Sequence, residues 1–89
     1  MNPTTRPPPS VMLVHNGNEY EAHVRHLTNA GLHVSETHAD GALAEAIRLQ
    51  PDIIVLDFGC DGGVTARMKA HAATKNIPII ALAALMRES

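Results

Sequence analysis

The chain has 89 residues with one Cys, one Phe, one Tyr and no Trp, which leaves room for one small domain whose core must be built from Val, Ile, Leu, Ala and Met. A formal charge of −2 without a Lys/Arg cluster argues against a nucleic-acid surface, because phosphate contacts supply most of that affinity. The lone Cys60 excludes an internal disulfide framework, and neither a secretory signal nor an apolar run long enough to span a bilayer is present, so the expectation is a soluble cytoplasmic protein with no membrane partner.

Residues 1–10 are rich in proline, which removes backbone donors and fixes φ, and are expected to form a disordered tail ahead of a domain at 11–89. Val11-Met-Leu-Val14 reads as a short buried strand, ended by Asn16-Gly-Asn18, with Asn18 placed to cap a helix. From Glu19 to Ala30 the apolar residues Tyr20, Val24 and Leu27 recur at helical spacing, and Gly31 stops the helix. Leu32 to Thr37 alternates more weakly and suits a sheet edge. Asp40-Gly41 then opens a second helix running to about Leu49, burying Leu43, Ala46 and Ile47 before Pro51.

Pro51-Asp-Ile-Ile-Val-Leu-Asp57 is continuously apolar and ends in a carboxylate, the mark of a buried parallel strand that delivers Asp57 to the carboxyl edge of a sheet, where ligands and chemistry collect. A Gly-rich loop, Gly59-Cys-Asp-Gly-Gly63, precedes a third helix whose Val64, Met68 and His71 share a face. Ile77 to Leu82 is the fourth strand, with Pro78 near its start, where a missing donor is tolerated. The order βαβαβαβ predicts an α/β fold with a parallel sheet and right-handed crossovers.

Four stretches together resemble the receiver domain of two-component response regulators, a flavodoxin-like fold: Val11-Met-Leu-Val-His-Asn16, Ala39-Asp-Gly-Ala-Leu-Ala-Glu-Ala46, Pro51 to Asp57, and Ile77-Pro-Ile-Ile-Ala-Leu-Ala-Ala84. The resemblance implies strand order 2-1-3-4, with the family's fifth strand and final helix lacking, so that the chain is expected to be a truncated receiver. It also implies that Asp57 is the position that accepts a phosphoryl group from a histidine kinase. The acidic pair that would hold Mg²⁺ falls on His15 and Asn16, which removes two carboxylates from a site for a hard, oxygen-preferring cation. The hydroxyl switch position falls on Ala83, and the lysine after the fifth strand has no counterpart. The loop after Asp57 is shorter than usual and lacks the family's proline, so Asp57 and the carbonyl of Gly59 make only a weak Mg²⁺ candidate.

Two readings of Asp57 therefore stand: a phosphoacceptor, or a carboxylate that caps backbone donors at a strand end. His15 is a candidate pH-sensitive partner of Asp57, because a histidine beside a carboxylate gains proton affinity, or else a solvated turn residue. His23 and His26 lie at i, i+3 on one helix, but no Cys or carboxylate completes a zinc spacing, so they read as surface histidines. Cys60 has no adjacent Lys or Arg to stabilise a thiolate and reads as a bystander.

The functional expectation is a non-enzymatic, protein-binding signalling module that needs no cofactor. The alternatives are a true phosphoacceptor using Mg²⁺, and a small-ligand module of the flavodoxin-like architecture, for which no cobalamin-type signature is present. An apolar fourth strand at a sheet edge predicts a homodimer paired through Ile77, Ile79, Ile80 and Leu82.

Overall fold

The computed structural model describes residues 7–17, 20–57, 60 and 63–82. Four parallel strands form one sheet: β1 (Ser10–His15), β2 (His33–His38), β3 (Ile53–Leu56) and β4 (Ile79–Ala81), in the order β2-β1-β3-β4. Between them run α1 (Glu21–Asn29), α2 (Ala42–Leu49), entered through a single 3₁₀ turn at Ala39–Gly41, and α3 (Val64–Ala70). This is the receiver-type architecture with the expected strand order. None of the described helices is long and apolar enough to cross a membrane.

The alternation of side chains along a strand divides the core between the two faces of the sheet. Met12 and Val14 of β1 join Ile54 and Leu56 of β3 beneath Ala42 and Ala46 of α2 and Val64 and Met68 of α3. Val11, Leu13 and Val55 point the other way, under Tyr20, Val24 and Leu27 of the α1 segment. β1 and β3 are buried on both faces, which is why they read as unbroken apolar runs, whereas β2 has no fully buried residue and lies at an edge. The sheet extends further toward the N-terminus than expected: Ser10 belongs to β1, and the carbonyl of Pro9 accepts the His33 N–H at 2.9 Å. Asp52 fastens this end, its carboxylate accepting the Ser10 N–H at 2.8 Å.

Several local expectations are corrected. Ile47 is 37% exposed, because the face of α2 that meets the sheet is carried by Ala42 and Ala46, small residues that allow close approach. Asp40 does not cap a helix; the ring of His38 does, its Nδ1 accepting the Asp40 N–H at 3.1 Å. His71 leaves the α3 face and turns into the next loop, where its Nδ1 accepts the Ala73 N–H. That loop is anchored by the buried Thr74, whose hydroxyl donates to the Met68 carbonyl at 2.6 Å. Ile77 is buried in the core ahead of β4 and is not part of the strand, so it lies off the β4 edge. Pro78 supplies what it can, a carbonyl that accepts the Ile54 N–H at 2.9 Å. The expected cap Asn18, the carbonyl of Gly59 and the switch position Ala83 lie outside the described residues.

Candidate functional site

The carboxyl ends of β1 and β3 converge on His15 and Asp57. Asp57 follows directly on β3, its N–H donating to the Val14 carbonyl at 2.8 Å, so it is held against the end of β1. It continues the row of Ile53 and Val55, which faces α1, and it is 6% exposed. That placement brings it to a residue the sequence reading left on the surface. His23 Nδ1 of α1 stands 3.0 Å from Asp57 Oδ1, within ion-pair range although the ring N–H is not aligned as a hydrogen bond. The side chain of His23 is 40% exposed while its Nδ1 is buried, so the exposure falls on the remainder of the ring.

The signal that could have found His23 was present. Tyr20, His23, Val24 and Leu27 together complete an i, i+3, i+4, i+7 stripe, the face a helix lays on a sheet. His26, one turn further, is exposed and lies off that stripe.

His15 is not the partner of Asp57 that its sequence position suggested. It lies buried at the end of β1, on the same side as Leu13, and is engaged on both ring nitrogens. Nδ1 accepts the Gly17 N–H at 2.9 Å, which places the hydrogen on Nε2, and Nε2 donates to Glu36 Oε1 at 2.5 Å. Tyr20 stacks flat on the ring at a centroid distance of 3.6 Å, and His38 meets it edge-on at 5.9 Å. Gly17 is where the chain needs glycine, at φ +96°, so that its N–H can turn back to the ring. The first of the two positions expected to hold an acid is thus a packed, hydrogen-bonded element of the β1–α1 turn. Its neighbour Asn16 is exposed.

Cys60 lies beneath the same edge, buried, with its N–H donating to the Asp57 carbonyl at 3.1 Å. Burial raises its thiol pKa, and the nearby Asp57 charge raises it further. No group of three or more His, Cys, Asp or Glu side chains among the described residues is arranged to hold a metal ion. Of the residues to which the resemblance assigns Mg²⁺ binding, Asp57 already faces an imidazole, His15 is an imidazole committed to the Glu36 carboxylate, and Asn16 is a neutral amide. That donor set does not fit a strongly hydrated, oxygen-preferring dication.

The crystal structure of a response regulator from Desulfuromonas acetoxidans matches this fold with a TM-score of 0.72, covering 90% of this chain and 68% of that one at 22% sequence identity. The likeness is one of fold. No protein-family model matches the chain, and no curated protein matches it.

Proposed function

We propose that the chain is a receiver-type signalling module that works by binding protein, is not an enzyme, and is not switched by Mg²⁺-dependent phosphorylation of Asp57. The observation that carries this reading is the engagement of the two strand-end residues. Asp57 is buried against His23, and His15 is held by Glu36 and Gly17, so the edge where a metal and a phosphoryl group would meet is occupied by protein side chains. Phosphoryl transfer relies on cationic stabilisation of the charge on the transferring group, and the acids that would recruit a metal are absent from His15 and Asn16. Phosphotransfer from a histidine kinase in the presence of Mg²⁺, compared with Asp57→Asn, tests this. Stoichiometric, hydroxylamine-sensitive labelling that maps to Asp57 itself and is lost in the variant would establish the phosphoacceptor reading instead.

The partner we propose is a second copy of the chain, paired along β4. Among the described residues β4 has one strand neighbour, β3, and its Ile80 is 51% exposed on the side of the sheet that carries Val55. Ile79 is half-buried and Leu82 packs under the α1 side, so both contribute at the margin, whereas the buried Ile77 supports the strand from behind. An apolar edge with unpaired backbone groups favours antiparallel pairing about a two-fold axis. Mass in solution by light scattering decides between this and a monomer.

A further inference from the structure

We infer that His23, and not Asp57, is the nucleophile of this sheet edge, and that its Nε2 accepts a phosphoryl group from small nitrogen-linked or acyl phosphodonors. The inference rests on the pairing of His23 with Asp57 and is independent of whether the module binds protein.

The geometry is that of a carboxylate-supported imidazole. Nδ1 is buried and faces Asp57 Oδ1 at 3.0 Å, which favours the tautomer with hydrogen on Nδ1 and a free lone pair on Nε2. The carboxylate then stabilises the imidazolium that forms when Nε2 attacks, the role an aspartate plays behind a catalytic histidine. The loose alignment of the pair is what an unliganded site shows before the contact tightens. Access agrees with this order: Asp57 is 6% exposed whereas the side chain of His23 is 40% exposed, so an electrophile approaching from solvent meets the imidazole first. A phosphoryl group is the electrophile of choice because N-phosphorylimidazole persists in neutral water, whereas N-acylimidazole hydrolyses quickly.

With phosphoramidate as donor, the Nε2 lone pair forms the new N–P bond while the donor's N–P bond breaks, and the ammonium nitrogen leaves as ammonia with its electron pair and the protons it already carries. The Nδ1 proton stays on the ring beside Asp57. No metal and no oxidant enters the balance.

The experiment is incubation of the full chain with phosphoramidate, with and without Mg²⁺, followed by phosphorus NMR and site mapping by tandem mass spectrometry. The expected result is one phosphoryl group on His23, stable to alkali and hydroxylamine and formed at the same rate without Mg²⁺. Asp57→Asn should slow its formation by about 10-fold or more, the least effect of losing a carboxylate that orients an imidazole, and His23→Gln should abolish it. A hydroxylamine-sensitive label on Asp57, labelling of the exposed His26 as fast as His23, or no label at all would each overturn the inference. Because site mapping on the unmutated chain already separates these outcomes, the test survives a variant that fails to fold.

Discussion

His23 Nδ1 stands 3.0 Å from Asp57 Oδ1, and this contact joins α1 to the carboxyl end of β3. It sets an imidazole against the carboxylate from within the chain. Titration with Mg²⁺, followed by amide shifts around Asp57, should therefore show no saturation at sub-millimolar metal. Tight binding would contradict the view that Asp57 with the imidazole of His15 and the neutral amide of Asn16 is too poor in carboxylates for this cation.

Acyl-phosphate donors with Mg²⁺ should leave the mass of the domain in solution unchanged and confine any change in hydrogen exchange to the surroundings of His23. A ligand biases two conformations only by the difference in its contacts with them, and Ala83, the residue to which the resemblance assigns the switch position, has no hydroxyl to make such a contact. A large change that disappears in Asp57→Asn would refute this.

Placing an acid at position 15 should be harmful by itself. His15→Asp removes the stack on Tyr20 and the bond to Gly17, and sets a buried carboxylate facing Glu36 in place of a donor. The expected loss, in urea unfolding, is about 1–3 kcal/mol, the cost of leaving a buried polar group without its partner. Glu36→Gln, which keeps an acceptor for His15 Nε2–H, should cost less.

Cys60 gives a pH-dependent signature. Its thiol is protonated through neutral pH, because burial first and the Asp57 charge second raise its pKa. Alkylation of the native protein should be slow and should accelerate only above the ordinary thiol range, with Asp57→Asn shifting the profile to lower pH. The linkage has a definite sign: a pKa raised by folding means that the unfolded chain loses its proton first, so stability is whole below the unfolded-state pKa and declines as pH rises through the folded one. Cys60→Ala should remove that part of the alkaline decline in a denaturant series against pH.

Thr74 and Met68 test the packing behind the site. Thr74→Val deletes the hydroxyl that donates to the Met68 carbonyl in a fully buried position, and should cost about 1–3 kcal/mol. Met68→Ala opens a cavity under α3 and should cost about 2–5 kcal/mol.

Light scattering should return the mass of a dimer at micromolar concentration. Since Ile80 is 51% exposed, Ile80→Lys should yield a folded monomer, with unchanged far-UV circular dichroism, and not an unfolded chain. A stable monomer of the unmutated chain would dispose of β4 pairing.

The sequence by itself determined the sheet. The runs Val11–Val14 and Ile53–Leu56 are apolar on both faces, and such strands are stable only in the middle of a parallel sheet with helices on either side. It also determined that Asp57 ends a buried strand, because a carboxylate closing an apolar run has nowhere to go but the sheet's edge. The tertiary structure alone decided who meets whom there. Strand periodicity places His15 and Asp57 on the α1 side, but Glu36 becomes the partner of His15 only through the parallel register of β1 with β2. His23 becomes the partner of Asp57 only through the docking of α1 across β1 and β3. Both contacts join residues from separate elements across 21 and 34 positions of chain, and no local spacing rule encodes such distances. The exposure of Ile47 belongs to the same class: helical spacing gives the apolar stripe, but how far that stripe turns under the sheet is set by the small Ala42 and Ala46 that let α2 settle on it.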